Sequence, residues 1–433
     1  MVALTVILAA VIGVYSIGFS DTAQPYVNAG LIVDESDEGV EVRWISKGNA
    51  DTVYILVNGS RVSGSELRSV GSSVTVTADD GDSVSIMGVN SERDAEQELK
   101  FLNTKRDTTD GSGVPQVVTG PVTLSASVPH TSEPDCSSDV SYVDNDGDGR
   151  LDVSNDYELQ CMELDGSYEL VTNIDASGTS SWNGGSGFAP VGPSFPETFE
   201  GQFYGNGYKI SGLTIDRPAE SEVGLFGYAY RDATMSNFTL EGVNITGSSR
   251  VGGIVGRDNN ASISDVSVSG SIDGAWFVGG IVGEAQGTSM TRVVSSADIS
   301  SSGRFAGGAI GRLSSNGSIS NSYSTGDVQG VDRVAGLAGS TRDGGAILSS
   351  YATGNVSGTG SYVQGLVGTN YGGLVDKSYW NKETTGQTTS AGLPDSYGLT
   401  TSEMQGSDAE SNMSGFDFVN IWETVESDYP ELS

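Results

Sequence analysis

Hydrophobic and polar positions change rhythm four times along the chain. Met1–Phe19 carries nineteen residues without a charge, and as a helix it would span about 30 Å, the thickness of a bilayer's hydrocarbon. "GVEVRWIS" (Gly39–Ser46) and "DTVYILVNG" (Asp51–Gly59) then alternate apolar with polar positions, the period of half-buried strands. "SSVTVTADDGDSVSIMGV" (Ser72–Val89) holds two more such runs around an acidic hairpin turn. Residues 23–102 therefore read as a small antiparallel β-sandwich. Thr104–Pro134 has no apolar periodicity and is rich in Thr, Ser, Gly, Asp and Pro, which makes 103–134 a flexible linker.

From Val223 one phrase returns: "VGLFG", "VGGIVG" (Val251), "VGGIVG" (Val278), "AGGAIG" (Ala306), "AGLAG" (Ala335) and "QGLVG" (Gln364). Counted on Gly224, Gly252, Gly279, Gly307, Gly336 and Gly365, the separations are 28, 27, 28, 29 and 29 residues. A second phrase keeps step, from "MSNFTLEG" through "ISDVSVSG" to "VDKSYWNK". A near-fixed period of this length marks a solenoid. Each unit holds short Val/Ile/Ser/Thr runs separated by Gly, Asn and Asp, without helical periodicity, and is too short for a propeller blade. The expectation is a right-handed parallel β-helix with one coil per repeat over 223–392. Coils stacked about 4.8 Å apart would make a rod roughly 30 Å long. Residues 135–222 would lead into it. In 393–433, Phe416, Phe418 and Trp422 would fold over the open end, since bare edges invite aggregation.

Composition narrows the function. Fifty-six acidic residues against 21 basic ones give a net charge of −35, so the phosphate-binding Lys/Arg clusters that nucleic acid requires are missing. A hydrated carboxylate surface of this kind keeps halophilic proteins soluble. The apolar start lacks the basic n-region and A-x-A site of a cleavable signal peptide, and reads better as an uncleaved helix over residues 1–22. On either reading, the chain beyond Asp21 is exported. The two cysteines, Cys136 and Cys161, flank an acidic loop, and in an exported chain they are expected to form one disulfide.

Between them lies "DNDGDGRLDVSND". Asp144, Asp146, Asp148 and Asp152 take positions 1, 3, 5 and 9 of a calcium loop, Gly149 takes position 6, and the Arg150 carbonyl takes position 7. Position 12 is Asn155 where a bidentate Glu is expected, and Asp156 follows it. The spacing predicts a structural Ca²⁺ in a variant, dockerin-like loop; a solvated acidic turn is the alternative.

The helix and the first strands resemble the N-terminal part of haloarchaeal type IV pilins, through "TVILAAVIG" (Thr5–Gly13) and the stretch Val57–Ile86; the likeness covers residues 1 to about 92. Pilins of that family carry a basic leader ahead of the helix, whereas this sequence starts within the helix. Either the start lies further upstream, or the leader is lost and the helix serves only as an anchor. The repeats resemble GLUG-motif surface proteins, a likeness that extends through "FEGQFYGNGYKISGLTI" (Phe199–Ile215) to "GLTTSEMQG" (Gly398–Gly406) and covers about 140–408. It implies a β-solenoid on a cell surface and leaves the task open.

Catalysis is not expected. Acids within the repeats, such as Asp265, Asp273, Asp298 and Asp327, sit at turns without converging, the single histidine, His130, falls in the linker, and no G-x-S-x-G elbow appears. Sequons at Asn58, Asn237, Asn244, Asn260, Asn316, Asn355 and Asn412 offer glycosylation sites in an exported chain. Aromatic residues near turns (Trp182, Phe203, Tyr204, Tyr208, Trp276, Phe277, Tyr323, Tyr351, Tyr362, Tyr371, Tyr379 and Trp380) could stack on sugars or pack in the core. The expected protein is a non-enzymatic, cell-surface, pilin-like subunit or adhesin. Its partners would be the membrane, other pilin subunits, and surface glycans or other cells. A membrane-anchored solenoid that binds glycans or an S-layer without forming filaments is the alternative, and a β-helix polysaccharide-degrading enzyme the second.

Overall fold

The computed structural model describes residues 130–433 apart from 138, 139, 141, 145 and 146. Before these it describes strands between Gly30 and Asn103, with residues 62 and 67. The apolar helix expected over 1–22 and most of the expected linker lie outside the described residues.

In the first unit, β1 (Gly30–Ser36), β2 (Gly39–Ser46) and β5 (Ser73–Val76) form one antiparallel sheet. A second antiparallel sheet has the order β4 (Ser60–Arg61), β3 (Thr52–Val57), β6 (Ser83–Asn90), β7 (Ala95–Asn103). The alternating runs of the sequence become β2, β3, β5 and β6, with Ile55 fully buried.

The second unit is a parallel β-solenoid of right-handed type with about six turns. One of its walls is a six-stranded parallel sheet: Phe226–Tyr230, Val255–Asn259, Val282–Gln286, Ile310–Ser314, Ala338–Arg342 and Val367–Tyr371. The remaining walls belong to one long sheet that also takes in the leading and closing strands. Side chains pointing inward stack in columns, for example Ile215, Ile245, Ile272, Ile299, Val328 and Val356. All six are buried in one core that runs from Val153 to Trp380.

Pairing across coils shows where the repeat register falls. Val223, Val251, Val278, Ala306, Val334 and Val363 form one column, with separations of 28, 27, 28, 28 and 29 residues. In the last two coils, Ala335 and Gln364 take the place of the first glycine. Gly336 and Gly365 instead continue the second-glycine column of Gly253, Gly280 and Gly308 through N–H···O bonds of 3.0–3.1 Å. Counting on the first glycine of each phrase therefore merges two columns, because "AGLAG" and "QGLVG" lack the initial valine's equivalent.

The second glycine is required by the opposite wall. A Cβ on Gly280 would lie 1.9 Å from the Ser295 hydroxyl, and one on Gly365 would lie 2.0 Å from the Trp380 ring. The facing column (Val268, Ser295, Ser324, Ala352, Trp380) thus projects to within contact of a bare backbone. Serines of the second phrase supply another stacking device. Val293 donates to the Ser322 hydroxyl at 3.0 Å, and Ser322 and Ser350 donate to the hydroxyls of Ser350 and Ser378 at 3.2 Å. These hydroxyls stand in for carbonyls where Asn321, Ser349 and Lys377 adopt positive φ and bend the coil.

Asp258 faces inward between Ala229 and Ala285 and is fully buried. Burial pushes its carboxyl up to about 7, although the Ala261 N–H (3.0 Å) offsets part of that penalty.

The C-terminal segment departs from expectation. Gly398–Leu399 does extend the last coil by pairing with Trp380–Asn381. Phe416 and Trp422, however, lie along the side of the rod, on the outward column Tyr323, Tyr351 and Tyr379. The Tyr351 hydroxyl donates to Pro430 O at 2.6 Å and Tyr379 to Ser414 O at 2.9 Å. A tyrosine column that faced water would expose a continuous apolar strip, and the segment covers it as a strap.

Two outcomes are expected. Gly280→Ala lowers the thermal unfolding midpoint, at a cost of about 2 kcal/mol from overpacking, and adding Ser295→Ala recovers part of it. Because folded Asp258 holds its proton to about pH 7 while an unfolded aspartate releases it near pH 4, the folded chain binds more protons in that window. Stability therefore falls as pH rises through it, and in melts across pH 4–8 Asp258→Asn flattens the slope.

Candidate functional site

The wall that carries the glycine phrase also carries the chain's most unusual surface. The residue before each of the first five positions of that column has positive φ: Glu222, Arg250, Phe277, Phe305 and Arg333. Each lies against a glycine of the neighbouring coil. A Cβ on Gly256 would come within 2.4 Å of the Glu222–Val223 backbone, and one on Gly311 within 2.6 Å of Phe277. This bend turns the side chains outward beside a second outward column, Tyr228, Arg257, Glu284 and Arg312. A third column next to them holds Trp276, Arg304 and Asp332.

The charges interlock. Arg250 donates to Glu284 at 2.6 Å, Arg312 pairs with the other Glu284 oxygen, and Arg257 lies 3.4 Å from Glu222. Arg312 stands 4.2 Å above the Phe277 ring, Arg333 5.0 Å above Phe305, and Arg257 4.8 Å above Tyr228. Phe277 and Phe305 stack at 4.8 Å. Burial alone would raise the Glu284 carboxyl, yet its hydrogen bonds from Arg250 and Arg312 hold it below the ordinary glutamate range. Glu284 is 1% exposed while Arg304 is 52% exposed. Arg304 is the open guanidinium of the strip; the other four are 18–29% exposed, beside acids that are 1–16% exposed. Five arginines against three carboxylates (Glu222, Glu284, Asp332) make a cationic strip on a chain of charge −35.

This strip was absent from the sequence reading, although its signal is present. Arginine flanks the glycine phrase on both sides in "SRVGGIVGR" and "GRFAGGAIGR", in a chain with only 21 basic residues.

The structure separates the aromatic candidates. Trp182, Phe203 and Trp380 are buried in the core, and Tyr351 and Tyr379 lie under the strap. Tyr204 lies beneath the Arg150 guanidinium at 4.1 Å. Tyr208 packs against the core, half-buried, and Tyr323 lies beside the strap. Trp276 (44% exposed), Tyr362 (43%) and Tyr371 (56%) remain open; the first two, with half-buried Phe277, border the arginine strip.

At the N-terminal end, Cys136 and Cys161 are joined in a disulfide. The loop between them closes through Asp152 N–H to Val143 O at 2.8 Å. Asp144 accepts from the N–H groups of Gly147 (2.7 Å) and Gly149 (3.0 Å), and Asp148 pairs with Arg150. Asp146 lies outside the described residues. Asn155 serves as N-cap of α1 (Asp156–Gln160), accepting from Glu158 N–H at 3.0 Å. Asp156 is buried, and both its oxygens are engaged by His130, so it stands apart from the loop carboxylates. Among the described residues, no three His, Cys, Asp or Glu side chains group as metal ligands. His130, assigned by the sequence reading to a flexible linker, is docked. Its ring stacks on Tyr157 at 3.7 Å, and its carbonyl accepts from Trp182. The sequon residues Asn237, Asn244, Asn260, Asn316, Asn355 and Asn412 are all exposed, and Asn58 lies outside the described residues.

Two proteins share sequence with this chain. Halomucin of Haloquadratum walsbyi is 33% identical over 318 residues, covering 64% of this chain and 3% of halomucin. A putative Gly-rich membrane protein of Evansella cellulosilytica is 37% identical over 103 residues, covering 23% of this chain and 12% of that protein. The chain therefore spans only a small part of either relative. No family model matches it, and no solved structure matches it.

Glu284→Ala would leave Arg250 and Arg312 facing one another without their shared anion. Denaturant melts are expected to show a loss of about 3 kcal/mol or more, against less than about 1 kcal/mol for breaking the exposed Arg342–Asp343 pair.

Proposed function

We propose that this chain is a non-enzymatic cell-surface protein that displays its solenoid as an attachment surface. The observation that supports this most is the ordered strip of arginine and aromatic side chains along one wall of a rod whose other charges are largely acidic. The likeness to a stretch of halomucin supports an acidic, halophilic surface setting. In the fuller reading, the apolar residues 1–22 anchor the chain in a membrane or in a pilin-like filament, and the GLUG-like coils project outward. The exposed sequons are its glycosylation sites. The loop Asp144–Asp152 takes a structural Ca²⁺ through Asp144, Asp146 and Asp148, the Arg150 carbonyl and Asp152. Support for the ion is the ligand spacing and the bend already closed by Asp144; Asp156 is not part of this set.

Deleting the gene tests the reading. Mutant cells are expected to attach less to surfaces and to each other, with attachment restored by the full chain. Unchanged attachment would overturn it. Ca²⁺ added to the purified chain raises its unfolding midpoint, and Asp144→Ala removes that rise.

A further inference from the structure

We infer that the arginine–aromatic wall binds acidic saccharide chains, those bearing carboxylate or sulfate groups. The inference rests on the attachment reading above and names its ligand class. Three features of the wall favour a linear polyanion. The cations lie along one axis on three coils, Arg250 and Arg257, then, past the coil that carries Glu284, Arg304 and Arg312, then Arg333, so charge is spread along a line rather than gathered at a point. Their orientation is fixed from below, with Glu284 clamping Arg250 and Arg312, and with Phe277 and Phe305 beneath Arg312 and Arg333. A guanidinium held in this way loses little entropy on binding, and Arg304, 52% exposed with its Nε toward Asp332, leaves its terminal nitrogens open to carboxylate or sulfate.

The third feature is the open aromatic rim. Trp276 and Tyr362 are 44% and 43% exposed, and Arg304 lies over the Trp276 ring at 5.9 Å. Sugar rings stack on such faces while their charged groups reach the neighbouring arginine. Stacking matters in this setting because molar salt shortens the screening length to about 3 Å, so long-range attraction contributes little and contact must carry recognition. A second copy of this chain, itself acidic, is the rival occupant. It is disfavoured because the acidic residues of the chain are dispersed over turns, whereas the wall presents a continuous line.

Binding of the full-length chain to polygalacturonate, dextran sulfate and neutral dextran in molar NaCl tests this. Retention is expected on both anionic polymers and not on neutral dextran. Trp276→Ala and Arg304→Gln each weaken binding about tenfold, and Trp276→Tyr retains it. Arg292→Gln, on another wall and paired with Asp265, leaves binding unchanged. Preference for one anionic polymer identifies the acidic group. Equal binding to neutral dextran, equal loss in Arg292→Gln, no binding at all, or a dimer dissociated by Arg304→Gln would each overturn the inference. Cell attachment that fails while polymer binding stands overturns only the cellular role.

Discussion

Coils stacked by parallel hydrogen bonds must each follow nearly the same path as the one beneath. That constraint governs the rest of the second unit. Any side chain that forces a coil outward breaks the bonds on both sides of it, so the tightest places in the path favour glycine. The column Gly253–Gly280–Gly308–Gly336–Gly365 occupies such a place, pressed against the opposite wall. Glycine is costly to order, and a stacked fold still keeps it here because the alternative is a gap running the length of the core.

The same constraint produces the functional wall. Where the coil bends just before the column valine, the backbone is left-handed and backs onto glycine, and its side chains have nowhere to go but outward. Arginine and phenylalanine at that bend, and arginine one strand later, become a strip along the wall through repetition, with Glu222 at the bend and Glu284 one strand later set among them. Their mutual pairing then fixes the guanidiniums, with Glu284 supplying the anion that keeps two of them in place.

Architecture was legible in the sequence because stacking writes itself as a period. The strands, the parallel solenoid and its repeat length came from that signal. The register was legible only to within one residue: a phrase that opens on Ala335 looks like one that opens on Val278, and only the pairing of Val334 with Ala306 tells them apart. Arginines flanking the glycine phrase hint at the strip, but its pairing was not legible, since Arg250 and Glu284 are 34 residues apart and meet only once coils are stacked. His130 and the C-terminal aromatics were misplaced for a related reason. Their partners Asp156, Tyr157 and Tyr351 are remote in sequence, and no period links them.

Arrays in which each coil touches only its neighbours tend to fray from their ends. Here the leading end is held by α1, the disulfide and the docked His130, and the strap ties the closing end across three coils through Tyr323, Tyr351 and Tyr379. Between them the core is lined in part by small side chains, Ala285, Ser295, Ala297, Ala306 and Ala309. Tied in these ways, both ends of the rod are held against unzipping.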